Sequence, residues 1–233
     1  GNTAVIPNPT VTYSSPNPTG TLSFAPVPNA SGSADIRAIV SDGVAMTERI
    51  FTVNVASVND LPTLDGIADV NINEDSGLQT VNLLGMSTGA ANETQTLTVT
   101  AVSSKTAIIP SPTVPYTSPN PTGTLTFTPV ANANDLANGG PTTITVTVSD
   151  GLDTVQRTFR VMVAAVNDPP VANFTPSTTS GTGPLSVAFN NTSSDVDNDV
   201  STLAYNWNFG DGGTSNVRNP THLFSTAGTF TVT

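Results

Sequence analysis

The chain repeats itself. Residues Thr3–Ala30 return 103 positions later as Thr106–Ala133, with 21 of the 28 positions identical. Ser41-Asp42-Gly43 and Val58-Asn59-Asp60 return as Ser149-Asp150-Gly151 and Val166-Asn167-Asp168. The offset is now 108, so the later copy carries five extra residues near positions 134–140. A period of about 105 residues is one compact domain copied in tandem. Tandem copying points to a surface-displayed protein that builds length, rather than to a single catalytic site.

Within each copy, short apolar runs alternate with threonine, as in Thr142-Thr143-Ile144-Thr145-Val146-Thr147-Val148. Period two is the signature of half-buried antiparallel strands. No window sustains a helical period, and the 18 glycines and 19 prolines punctuate the chain throughout. The expectation is an all-β fold of sandwiches in a linear array. Predicted strands in the second copy are Leu64–Ile72, Leu78–Leu84, Gln95–Ser103, Thr122–Pro129, Thr142–Ser149 and Thr154–Ala165. Inward faces read Leu97/Val99, Leu125/Phe127, Ile144/Val146/Val148 and Phe159/Val161/Val163. Asp150-Gly151 is a hairpin signal.

The later copy starts its matching stretch about 45 residues after Asn59-Asp60. Residues 1–58 therefore hold only the C-terminal half of a repeat, residues 59–166 a complete repeat, and 167–233 a module of another kind. The half-repeat carries the faces Leu22/Phe24, Ile36/Ala38/Val40 and Phe51/Val53/Val55 without the strands that would cover them. Both ends break off inside domains, which suggests an internal window of a longer protein.

Several classes of function are excluded. Cysteine is absent, which rules out disulfides, thiolate metal sites and cysteine nucleophiles. Six basic residues stand against 17 acidic ones, for a net charge of −11. No basic patch exists to neutralise phosphates, so no nucleic-acid partner is expected. No apolar run reaches the length of a membrane span.

Two resemblances are carried by motifs. Ser149-Asp150-Gly151, the long strand after it, the junction Val166-Asn167-Asp168-Pro169-Pro170 and the stretch Asn71-Ile72-Asn73-Glu74-Asp75 resemble the cadherin-like and Ig-like repeats of large bacterial surface proteins. That resemblance covers residues 1–170. The segment after it carries Val171-Ala172-Asn173-Phe174, Asp195-Val196-Asp197-Asn198-Asp199 and Tyr205-Asn206-Trp207-Asn208-Phe209-Gly210-Asp211-Gly212. It resembles a polycystic-kidney-disease (PKD) domain lacking its final strand. Tyr205, Trp207 and Phe209 alternate in phase, so one sheet face should carry all three.

No catalytic set is visible. The single histidine, His222, lies in the PKD-like Asn-Pro-Thr-His stretch and reads as structural. Asp195 and Asp197 fall in a polar, Asn-rich loop that suits cation binding or turn capping better than glycoside hydrolysis. Tyr13 and Tyr116 recur at the same place in each copy and read as packing residues.

Topology gives the acidic residues a second meaning. In a seven-strand sandwich the chain enters at one pole and leaves at the other. Glu93 and Asp150 should then approach Asn59-Asp60, while Glu74 and Asp75 lie at the pole of Asn167-Asp168. The loop carrying Asp195, Asp197 and Asp199 should face Asn167-Asp168. Calcium takes six to eight hard oxygen ligands, and crowded carboxylates repel one another without a cation. The cadherin resemblance likewise implies calcium at the linkers. The alternative is that these residues only close turns and keep the surface soluble.

The expected function is structural and non-enzymatic: a stalk, adhesin or filament segment, secreted or on the cell surface. Its partners would be neighbouring repeats or other copies in a fibre, with a surface glycan or protein as a further candidate ligand. The rival is a set of non-catalytic accessory modules in a secreted hydrolase.

Overall fold

The computed structural model describes residues 1–233, which divide into two compact units, Gly1–Ala164 and Ala165–Thr233. All regular structure is β. No helix is long and apolar enough to cross a membrane, which says nothing of a β-barrel.

The first unit opens with β1 (Thr10–Thr12), β2 (Thr21–Ser23), β3 (Gly32–Ser41) and β4 (Met46–Val55). These form two separate antiparallel pairs, β1–β2 and β3–β4. Next come β5 (Val70–Asn73), β6 (Gln79–Leu83), β7 (Thr98–Ser103), β8 (Gly123–Phe127), β9 (Thr142–Ser149) and β10 (Thr154–Ala164). They build a sandwich from a four-stranded sheet, ordered β5-β10-β9-β7, and a two-stranded sheet, β6-β8. Its core holds Leu64, Leu83, Met86, Leu97, Leu125, Phe127, Ile144, Val146, Val148, Phe159, Val161 and Val163. The expected inward faces are thus buried, with Val99 half-buried beside them. Threonines between them pair across the ladder, as Thr145 does with Thr158.

One expected strand is shorter than its alternation suggested. Only Val70–Asn73 of the predicted Leu64–Ile72 is a strand. The chain changes sheets in between. Thr63 bridges Ser87 and the Asp65 N–H donates to Leu84 C=O, both beside β6, whereas Val70 onward pairs with β10. Leu64 stays buried because it faces the core before the crossing.

The two copies fold alike wherever their sequences match. Ile36 pairs with Phe51 in β3–β4 as Ile144 pairs with Phe159 in β9–β10. Val5 and Ile6 are buried, as are Ile108 and Ile109. Asn29 and Asn132 both take the left-handed conformation, at φ of 60° and 58°, which asparagine tolerates better than most residues.

The second unit contains β11 (Phe174–Pro176), β12 (Leu185–Asn191), β13 (Trp207–Asn208), β14 (Thr214–Ser215) and β15 (Thr221–Phe224). β12 lies between β11 and β15, and β13 pairs with β14. The last residues run beside β13, with reciprocal backbone hydrogen bonds between Asn208 and Thr233. Val187, Phe189, Trp207, Phe209 and Phe224 form the core, with Tyr205 packed against it. The phase expected for Tyr205, Trp207 and Phe209 accounts for this.

Candidate functional site

The hairpin joining β9 to β10 shows how sequence builds the first pole. Asp150 accepts the N–H groups of Leu152 (2.8 Å) and Asp153 (2.6 Å), and Ser149 Oγ donates to Asp153 C=O. Gly151 supplies the positive φ of 93° that the turn needs. The first copy builds the same turn: Asp42 accepts from Val44 and Ala45, and Gly43 also sits at 93°. The Asp153 N–H is the main influence holding the Asp150 carboxyl below its ordinary range. The Leu152 N–H and the Asn59 amide act in the same direction, and desolvation opposes them.

That turn presents its carboxylates to the linker. Asn59 Nδ2 donates to Asp150 Oδ2 (3.0 Å), to Asp153 Oδ2 (2.9 Å) and to Asp60 C=O (3.2 Å). Gln95 Nε2 donates to Asn59 Oδ1 at 2.7 Å, and Glu93 Oε1 accepts the Asp60 N–H at 2.8 Å. The structure therefore brings Asn59, Asp60, Glu93 and Asp150 together, and adds Asp153 and Gln95. Two buried oxygens in this group, Glu93 Oε2 and Gln95 Oε1, have no hydrogen-bond partner. Buried acceptors left open cost free energy unless a ligand or water meets them.

The opposite pole of the complete repeat holds Glu74 and Asp75. Glu74 is buried; its N–H donates to Ala164 C=O and its Oε2 accepts from Asn134 Nδ2 at 3.0 Å. Asp75 Oδ1 accepts the Asn132 N–H at 2.9 Å. Asp135, within the five-residue insertion, accepts the Val163 N–H, and its Oδ1 is buried without a partner. Lys105 Nζ ties down the same insertion through the carbonyls of Asn138, Gly139 and Gly140.

In the second unit Asp168 N–H donates to Asp197, and Asn198 Nδ2 donates to Asn167 Oδ1 at 3.3 Å. Asp195 Oδ1 accepts the N–H groups of Asp197 and Asn198, and the Asn198 N–H is the main reason its carboxyl titrates low. Asp199 is likewise held low, chiefly by the Ser201 N–H. The loop thus meets Asn167 and Asp168. No group of three or more His, Asp or Glu side chains that could hold a metal ion is assembled anywhere in the chain. The carboxylate crowding expected from topology is relieved by N–H donors, and the remaining open oxygens are a mixture of carboxylate and amide.

His222 is occupied by packing. Its ring stacks on Phe209 at 4.1 Å and 6°, meets Phe224 edge-on, and Nε2 contacts Asp211 Oδ2 at 2.7 Å.

Sequence reasoning missed Asp153, Gln95 and Asp135. Asp153 was within reach: it stands three residues after Asp150, where a four-residue turn brings its carboxylate back to the pole. Asp135 carried no signal beyond lying in the insertion.

Against known proteins, residues 167–233 match the PKD domain family. No curated protein matches the chain. Among solved structures, a chimeric titin Z1Z2 carrying a peptide from decorin is 17% identical over 47% of this chain and 99% of that one, with a TM-score of 0.33. Domains 4 and 5 of the S-layer protein SbsC are 20% identical over 60% of this chain and 62% of that one, with a TM-score of 0.32. An endo-fucoidan hydrolase of glycoside hydrolase family 107 is 18% identical over 78% and 27% of the two chains, with a TM-score of 0.33. The chain is all-β, with a match to the PKD domain family over residues 167–233.

Proposed function

We propose that this chain is a load-bearing structural segment of an extracellular bacterial repeat protein, a stalk, adhesin or cell-surface filament. It would consist of tandem cadherin-like sandwiches and a PKD-like module, perform no catalysis, and be stiffened by calcium at its linkers. One observation carries the mechanical part. In the complete repeat the first strand, β5, pairs in parallel with the last, β10, from Val70↔Val161 to Asn73↔Ala164. Tension along the chain pulls the start of one strand and the end of the other in opposite directions. Parallel strands then slide along their ladder, so all its hydrogen bonds must yield together. An antiparallel hairpin pulled at its open end parts one bond at a time.

The calcium part rests on the oxygens gathered around Asn59. Asn59 Nδ2 sits among the Asp60 carbonyl and the Asp150 and Asp153 carboxylates, beside the open Glu93 Oε2 and Gln95 Oε1. All are hard ligands of the kind calcium takes, and a cation there would displace the Asn59 amide hydrogen bonds. Glu74, Asp75 and Asp135 would serve the other pole of the repeat, and Asn167, Asp168, Asp195, Asp197 and Asp199 the loop of the second unit. Calorimetry in calcium and in chelator tests this reading. A cation bound only to the folded state adds about 2.7 kcal/mol at a hundredfold excess over Kd. Superimposable melting curves would remove calcium from the account. Exchanging Asp150 and Glu93 for Asn and Gln should reduce the shift by the share that the Asn59 pole contributes.

A further inference from the structure

The later copy differs from the first by its insertion near residues 134–140, and by Lys105, which stands where the first copy has Asn2. The two differences meet in space. Lys105 Nζ donates to the carbonyls of Asn138 (3.0 Å), Gly139 (2.9 Å) and Gly140 (2.6 Å). The same loop carries an Asn-Gly pair, Asn138-Gly139, and no other asparagine of the chain precedes a glycine.

An asparagine before glycine can react with its own main chain. The backbone nitrogen of the next residue attacks the side-chain carbonyl carbon, and glycine, without a Cβ, leaves that approach open. The nitrogen must first lose its proton, so the attacking species is a peptide anion. Resonance shares its charge with the carbonyl oxygen of the same peptide unit. For Gly139 N that oxygen is Asn138 O, to which the Lys105 ammonium donates. A cation hydrogen-bonded where charge develops favours the anion. The surroundings agree. Asn138 and Gly139 are exposed, and a methyl group placed on Gly139 would meet nothing within 4 Å. The Gly139 N–H donates to no backbone carbonyl, so no such bond has to break. Asn138 Nδ2 donates to the C=O of the buried Asn134 at 2.9 Å, which holds the carboxamide in place.

We propose that Asn138 is a self-modification site, converted to aspartate and isoaspartate with Lys105 as a positioning residue. The Gly139 N–Asn138 Cγ bond forms and the Cγ–Nδ2 bond breaks. The proton given up by the Gly139 N–H is returned to the departing nitrogen, which leaves as ammonia. One water then opens the succinimide ring at either of its carbonyls, and nothing is oxidised or reduced. Opening at one carbonyl gives aspartate. Opening at the other gives isoaspartate, which lengthens the main chain by a methylene in the segment that Lys105 ties down. Either product adds a carboxylate to the loop whose Asp135 exchanges hydrogen bonds with Val163 at the end of β10. The repeat thereby carries a covalent mark of its age at that pole.

The test incubates the whole chain, residues 1–233, at neutral pH, assays released ammonia and maps peptides by mass spectrometry. Asn138 should gain the mass difference between acid and amide before any other asparagine does. The folded chain should react about tenfold faster than a synthetic peptide of residues 132–142, in which the ammonium is missing. Lys105→Gln should remove that advantage, and Lys105→Arg, which keeps the charge, should retain most of it. Unchanged melting curves would verify that both variants fold. The comparison of chain with peptide needs no variant, so it stands whatever the variants do. No conversion at Asn138 would overturn the proposal. So would a folded chain that reacts no faster than the peptide, because the loop would then protect its asparagine. A folded Lys105→Gln chain that reacts as fast as the original would overturn the role given to Lys105.

Discussion

Trp207 is the residue on which the second unit most depends. It is buried among Phe174, Phe189 and Phe209, with centroids 5.0 to 6.5 Å away, and its Nε1 donates to Val217 C=O at 2.9 Å. Trp207→Ala should destabilise this unit by roughly 3–5 kcal/mol and leave the melting of residues 1–164 unchanged, as two calorimetric transitions would show. Asp211 adds a pH dependence. His222 is the main influence lowering its carboxyl, helped by the Gly213 N–H. A carboxyl depressed in the folded state stabilises above its unfolded value, about 3.9, and that contribution is lost as pH falls through the depressed folded value. The second transition should therefore drop as pH is lowered below about 4, and drop less in Asp211→Asn. The phase of Tyr205, Trp207 and Phe209 was legible because alternation is local. The ring of polar groups around Asn59 was legible only in part. Asp150 and Glu93 follow from topology and Asp153 from its spacing in the turn, whereas Gln95 depends on side-chain reach, which spacing does not encode.

At the scale of elements, the same strand occurs in two environments. β9 was readable to its last residue because Ile144, Val146 and Val148 alternate with threonine and both neighbouring strands are present. Its counterpart β3 has the same alternation, yet much of its apolar face is open, because burial belongs to the partners and not to the strand. The prediction is an asymmetry. Val148→Asp places a charge at a fully buried site and should unfold the complete repeat. Val40→Asp, at the matching position, should change stability by no more than about 0.5 kcal/mol. Urea titrations of both variants measure the difference. The segment before β5 was misread for a related reason. Residues 64–72 alternate well enough for one strand, but the chain spends them crossing between two sheets, and periodicity does not report which sheet a residue joins.

At the scale of the molecule, the repeat of about 105 residues was the most legible feature of all, whereas the proposal that this chain bears load rests on how the complete repeat closes. The parallel closure of β5 on β10 was not legible, since alternation is the same in either pairing sense. Force applied through the two ends tests it directly. The chain has no cysteine, so one added at each end gives unambiguous handles. Single-molecule extension should show the complete repeat resisting and then opening in one step that frees roughly 300 Å of chain. The opening force should be higher in calcium than in chelator. Gradual extension at low force, with strands peeling away one at a time, would contradict a load-bearing role.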